Sequence, residues 1–255
     1  KNEFRVHLQP IFDATDGLLV GAEALIRWQH PERGLLPPGR FIPAAEAANL
    51  ISTLGDWIIN EVAKHLREWH ERTGRRIKVS VNVSVQQLAT GLDFVEYLED
   101  VIERHHLPPE CLVLEVTESL LVQSIDAVAS TLRAVRELGM QVAMDDFGTG
   151  YSSLHVLRHL PIDTVKVDRA FVRYLKRGDK DFGVLAAVIQ LARALDLKVV
   201  AEGIEEEHQV ELLRELGFDQ MQGFYFAKPM PVDEFAARYV YVEVTAQGVT
   251  TAPLL

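Results

Sequence analysis

Gln141-Val142-Ala143-Met144-Asp145-Asp146-Phe147-Gly148-Thr149-Gly150-Tyr151-Ser152-Ser153 is the stretch from which the rest of the chain can be read. Its first four residues form a short apolar run of the kind that makes a buried strand. The run ends in two adjacent acids and then breaks into glycines. Two neighbouring carboxylates repel, and ionising both in a half-buried place costs heavily without a cation. A divalent metal removes that cost, because hard cations such as Mg²⁺ take carboxylate oxygens. The glycines let the backbone turn sharply beside the acids, and Ser152 or Ser153 then suits the cap of a following helix. An Asp turn followed by an N-cap accounts for the same residues without a metal. The rest of the chain decides between the two.

Outward from that strand, strand and helix patterns alternate. Upstream, residues 112–116 read as a strand carrying Glu115, with Glu118 just beyond it. Ser124 reads as the cap of a helix that stops at Gly139. Residues 78–83 form a strand with Asn82 near its end, followed by a loop and a helix over 93–105. Downstream come a short helix over 154–159, a strand over 164–167 with Lys166, and a helix over 182–195. A strand over 198–201 leads to Glu202, a helix over 206–216 stops at Gly217, and a weak strand over 219–222 carries Gln222. At the start, residues 4–11 and 18–28 read as two strands joined by a short turn, hence antiparallel. Glu23, Leu25 and Arg27 are spaced by two and share one face of the second. A Pro- and Gly-rich loop over 31–39 and helical patterns over 41–49 and 51–72 follow.

Repeated strand–helix alternation implies a largely parallel sheet. Eight strands is the number that closes an α/β barrel. The expected fold is therefore a TIM-like (β/α)8 barrel with an antiparallel first strand, occupying residues 1–238. Residues 239–255 are read as a C-terminal tail or linker, although 239–244 alternate like a strand. Asn82, Glu115, Asp145, Lys166, Glu202 and Gln222 each fall at or near the C-terminal end of a different strand. In a parallel barrel those ends converge on one mouth, where active sites sit. Helix capping on the rim explains one or two buried acids but not this whole set. An oxygen-rich cluster without cysteine suits Mg²⁺ or Mn²⁺ better than Zn²⁺.

Composition narrows the field. The 255 residues are 48% hydrophobic and 25% charged, an ordinary globular balance. A net charge of −11 argues against binding a nucleic-acid polymer, which calls for a basic face. It leaves room for a small phosphate ligand held by metal and a few arginines. No apolar run is long enough to span a bilayer, and no signal peptide heads the chain. Cys111 is the single cysteine, so no internal disulfide forms, which fits a reducing, cytoplasmic setting, including the cytoplasmic part of a membrane-anchored protein. It opens an apolar run and reads as core filler. The first residue is Lys1 rather than Met, as expected of a piece of a longer protein.

The ordered set of motifs resembles the EAL domain, the phosphodiesterase family that hydrolyses cyclic di-GMP. The naming motif stands as Glu23-Ala24-Leu25, within Glu23-x-Leu25-x-Arg27. With it come Gln9-Pro10-Ile11, Val81-Asn82-Val83-Ser84, Glu115-Val116-Thr117-Glu118-Ser119 and the Asp145–Ser153 stretch. Val165-Lys166-Val167-Asp168-Arg169, Ala201-Glu202-Gly203-Ile204-Glu205 and Gln222-Gly223-Phe224 complete it. The match covers about residues 4–235. Glu-Ala-Leu alone carries no weight; the set at these spacings is highly specific.

The resemblance implies roles. Glu23, Asn82, Glu115 and Asp145 match the first metal site, and Asp145 bridges to a second shared with Asp146 and Glu202. Arg27 holds a ligand phosphate, while Gln9, Leu25, Glu205 and Gln222 line the dinucleotide pocket, to which Asp146 also contributes. Glu118 steadies the loop over 146–153, and the family often forms homodimers. Lys166 orients the nucleophile or stabilises phosphoryl charge, and Glu202 is a metal ligand, a general base, or both. Two Mg²⁺ or Mn²⁺ ions are the implied cofactors, with linear pGpG as product. Ca²⁺, larger and less demanding in geometry, is expected to inhibit. Two alternatives remain: a catalytically silent receptor for cyclic di-GMP, and an unrelated metal-dependent barrel enzyme acting on carboxylates.

Overall fold

The structure, a computed structural model, describes residues 3–117, 125–148 and 154–242. Glu118, Ser124, residues 149–153 and most of the tail lie outside the described residues. The strands are β1 (Phe4–Asp13), β2 (Leu19–His30), β3 (Gly34–Leu36), β4 (Lys78–Asn82) and β5 (Leu112–Thr117). They continue as β6 (Gln141–Phe147), β7 (Thr164–Val167), β8 (Lys198–Ala201), β9 (Gln220–Met221) and β10 (Met230–Pro231). The pairing runs β1-β9-β8-β7-β6-β5-β4-β2, and β1 pairs with β2 to close the ring. These eight are the expected strands. β1 runs antiparallel to both of its ring neighbours. Every other ring pairing is parallel. The barrel and its antiparallel first strand are therefore as the sequence predicted.

Helices pack outside the ring. The longest, Ile51–Thr73, buries Ile58, Ile59, Val62, Ala63, Leu66 and Trp69, the three-and-four spacing of one helical face. It stops where Gly74 takes a left-handed conformation, φ 68°. Cys111 is buried in the turn before β5, and burial pushes its thiol up to about 11, so it is inert filler at neutral pH.

Three local features differ from expectation. β3 and β10 are short strands added outside the ring, to β2 and β1 respectively. Short helices, Val85–Ala89 and Arg169–Val172, occupy stretches read as connections. Each has its own cap: Ser84 accepts from Gln87 N–H, and Asp168 from Ala170 N–H. The strand-like alternation at 239–241 is overturned, because Ala236–Val240 coils into a wide helical turn. Tyr239 and Val240 are buried there, and Arg75 Nη1 donates to their carbonyls at 2.6 and 3.0 Å. Alternation alone cannot distinguish a strand from a turn held by such a distant cap. No helix among the described residues is long and apolar enough to cross a membrane.

Candidate active site

The mouth of the barrel gathers the polar residues read from the strand ends. At its centre stands Lys166 on β7, 1% exposed. Its Nζ lies 2.6 Å from Glu202 Oε1 and 2.8 Å from Glu115 Oε1. Glu23 Oε2 and Asp145 Oδ1 follow at 3.4 and 3.6 Å. A second layer of bonds fixes Glu23: Asn82 Nδ2 donates to its Oε1 at 3.2 Å, and Gln222 Nε2 to its Oε2 at 2.7 Å. Gln222 also donates to Gln9 Oε1 at 3.2 Å, and Gln9 Nε2 to the Ala227 carbonyl at 3.1 Å. Residues scattered from position 9 to 222 thus form one connected network.

Asp145 and Asp146 pose a geometric problem, since neighbours on a strand point to opposite faces. A bulge answers it. Met144 pairs with Val165 and Phe147 with Val167, so β6 carries one extra residue against β7. The extra length is taken up at Asp146, in a left-handed conformation with φ 55°, and its N–H donates to Asp145 Oδ1 at 2.9 Å. Just beyond, Gly148 has φ 96°, and a Cβ there would meet the Phe171 ring at 2.5 Å. Glycine is required at that position both for its conformation and for its space.

Four carboxylates around one buried ammonium cannot all be comfortably ionised. Burial raises the pKa of Glu115 well above the ordinary carboxylate value and that of Glu202 to about 8, with Lys166 opposing in both cases. Asp146 is also raised, first by burial, then by Asp145 and Asp168. For Lys166 burial acts downward, but the surrounding acids outweigh it and hold the ammonium form. A stability prediction follows for the metal-free chain. Between the ordinary value of 4.5 and about 8, the folded Glu202 keeps a proton that the unfolded one has lost. Stability therefore falls as pH rises through that window, by up to about 1.4 kcal/mol per pH unit for one proton. The lowered histidines His7, His65 and His105 act oppositely at lower pH, so the clean interval lies above their titration. Urea unfolding in EDTA from neutral to pH 8 should show the decline, and Glu202→Gln should make it shallower, with Glu115, raised as well, contributing what is left. A rise in wild-type stability over that interval would contradict the charge assignment.

Two openings flank the cluster. One, a cleft of about 210 Å³, is lined by Gln9, Glu23, Leu25, Glu202, Glu205 and Gln222, together with Arg169 and Phe224. The Gln222 Oε1 atom is buried and has no partner. The other is a largely apolar groove of about 520 Å³, reached by Leu25, Asn82 and Asp146 and walled by Ile42, Leu54 and Ile58. Arg27 lies half-buried along β2, where its Nη1 donates to the Ile26 carbonyl at 3.0 Å, and burial lowers its pKa. Residue-by-residue reading gave no role to Arg169, which joins the cleft wall because the short helix it starts was not foreseen. Phe224 is 54% exposed at the cleft, with Lys228 Nζ 5.6 Å from its ring centroid.

The metal expectation can be weighed on the donor set. Among the described residues no three acids are already grouped about a shared cation position. They converge on Lys166 instead. The set still fits a hard divalent cation, for it is all oxygen, with Asn82 beside the acids and negative charge in excess of the single ammonium.

Comparison with known proteins agrees with this geometry. The EAL domain family model matches residues 1–229. The chain is 40% identical over 238 residues to the bifunctional diguanylate cyclase/cyclic di-GMP phosphodiesterase MucR of Pseudomonas aeruginosa, covering 93% of this chain and 34% of that protein. It is also 40% identical over 241 residues to the cyclic di-GMP phosphodiesterase NbdA of the same organism, covering 93% of this chain and 31% of that one. The chain thus spans about a third of the length of these curated relatives. The solved MucR phosphodiesterase in complex with c-di-GMP superposes with a TM-score of 0.86 at 39% identity, covering 91% of this chain and 94% of that one. With the motif set, the closed barrel and the carboxylate ring in place, the chain belongs to the EAL domain family.

Proposed function

We propose that the chain is a divalent-metal-dependent phosphodiesterase that hydrolyses cyclic di-GMP to linear pGpG. The observation that carries this reading is the ring of Glu23, Glu115, Asp145 and Glu202 around Lys166, set beside a polar cleft. MucR and NbdA are described by that activity, and the MucR structure holds c-di-GMP. Glu23, Asn82, Glu115 and Asp145 would hold one metal ion. Asp145, Asp146 and Glu202 would hold a second. When bound, the pair supplies Lewis-acid activation of water and of a phosphoryl oxygen.

The chain's own residues do the rest. Lys166 places positive charge where the phosphoryl oxygens gain negative charge. Glu202, held by Lys166 through Oε1, is suited to accept a proton from the attacking water at its other carboxylate oxygen once a bound cation has replaced the proton it keeps in the metal-free chain. Water oxygen bonds to phosphorus as the bond to the ribose 3′-oxygen breaks, and the departing oxygen takes a proton. Gln222, whose buried Oε1 lacks a partner, is placed to accept from a guanine N–H, and Leu25 to pack on a base. Gln9 and Glu205 complete the cleft, and Arg27 binds a phosphate from β2. Glu118 would steady the loop that follows Asp146. A homodimer, a cytoplasmic setting and further domains in a longer parent protein belong to the same proposal.

The test is hydrolysis by the purified chain with Mg²⁺, Mn²⁺, Ca²⁺ or EDTA, following pGpG by chromatography. Product with Mg²⁺ or Mn²⁺, and none with EDTA or Ca²⁺, is expected. Tight binding of intact dinucleotide without product in any metal would instead make the chain a receptor. Full turnover in Ca²⁺ alone would overturn the metal assignment, and the absence of both binding and turnover would overturn the proposal.

A further inference from the structure

Beneath the carboxylate ring the barrel interior is not completely filled. In α/β barrels, layers of bulky branched side chains close the core. Here the small residues Gly21 and Ala22 on β2, Ser80 on β4 and Ala143 on β6 interrupt the branched Ile11, Val20, Val113 and Val200. The gaps between them leave a chamber of about 60 Å³. Roughly 10–15 Å³ of such space holds one water, so a short file of waters fits. Its upper end is formed by Lys166 and Glu115, and its lower end by Thr164, Gln141, Lys78 and Lys198.

The lining is polar at both ends, and two buried atoms of it, Glu115 Oε2 and Lys166 Nζ, lack a hydrogen-bond partner. Glu115 is 1% exposed, and its Oε2 has no hydrogen-bond partner, while its Oε1 is paired with Lys166. Glu115 lines the chamber and neither of the two openings at the mouth. A buried carboxylate oxygen left unsatisfied is expensive, and water is the smallest group that can satisfy it. Below, Gln141, Thr164 and Lys198 line the chamber and also a polar groove of about 720 Å³ on the opposite end of the barrel from the active-site mouth. The two spaces therefore share a wall at the first residues of β6, β7 and β8. Lys78 Nζ donates to Gln141 Oε1 at 2.8 Å across the chamber floor.

We propose that this chamber is a built site for a file of water molecules, running from the floor groove past Thr164 to Glu115 Oε2. It is a second solvent entrance to the carboxylate ring. It reaches Glu115 from below through Oε2 and leaves Oε1, beside Lys166, as the oxygen that would meet the proposed metal ion. The proposal does not depend on the substrate.

Crystals of the whole chain, at a resolution that shows ordered waters, test it without any assay, with a second set pressurised in xenon. The expected result is a connected series of waters in the chamber, one within hydrogen-bond distance of Glu115 Oε2 and another of the Thr164 hydroxyl, with xenon excluded. In Thr164→Val, nearly the same size without the hydroxyl, the lower water should be lost and the one at Glu115 kept. A chamber that admits xenon, or is empty of waters, or a Glu115 Oε2 bonded to a protein donor, would overturn the proposal. So would an unchanged water series in Thr164→Val, because the route would then not pass the threonine.

Discussion

Lys166→Met removes hydrolysis of cyclic di-GMP and lowers the stability of the metal-free chain by about 3–5 kcal/mol, the cost of removing one partner from a buried ion pair. Among the described residues Lys166 is the only cation paired with these four acids, which lie within 3.6 Å of its Nζ. Methionine keeps the bulk but leaves the carboxylates facing one another in a buried place. They can relieve the repulsion only by taking up protons, so the penalty grows as pH rises. Mg²⁺ should restore much of the lost stability, since a divalent cation answers the same excess of charge, but it should not restore turnover, because the ammonium would no longer meet the phosphoryl oxygens. Urea unfolding with and without Mg²⁺, beside a pGpG assay, reads both effects. A variant as stable as wild type in EDTA at pH 8, or one that turns over normally, would show that Lys166 is not the electrostatic centre of the site.

Glu23→Ala is the second large effect: turnover falls by roughly 10²–10³-fold, the range typical of losing one preorganised charge-stabilising group, while the barrel stays folded. Glu23 is the shared acceptor of Asn82 and Gln222 and a close neighbour of Lys166. Without it those side chains lose their common anchor, and the first proposed metal site loses a ligand. The fold survives because β2 is held through backbone pairing to β1 and β4 on either side. It also survives because one fewer acid relieves crowding around the ammonium. Circular dichroism and the product assay together check this. Near-wild-type turnover would falsify the assignment of Glu23 as a metal ligand.

Much of this site was legible in the sequence because a parallel barrel turns a list of strand ends into a place. Asn82, Glu115, Asp145, Lys166, Glu202 and Gln222 needed only their position relative to each strand. All six are found in the bonded network, and period-two alternation explains why. What could not be read depended on contacts between distant segments. The bulge that reconciles Asp145 with Asp146 is visible only once β7 lies beside β6. Arg169 reaches the cleft through a helix of four residues, too short for any periodicity to show. The turn at Tyr239 depends on Arg75, 164 positions earlier in the chain. β3 and β10, of three and two residues, fall below the length at which alternation means anything.

The antiparallel β1 has a consequence for the order in which the chain folds. Its ring partners are β2, the next strand, and β9, near the opposite end of the sequence. As the chain emerges from a ribosome, the hairpin forms early but its outer edge has to wait until residues 220–221 arrive. Closing that long loop is the slow, entropically costly event. The bond from Gln222 to Gln9 spans the same seam, joining residues 213 positions apart. Closure and completion of the binding cleft are therefore one event, and an unfinished chain has no half-built cleft with which to capture a ligand.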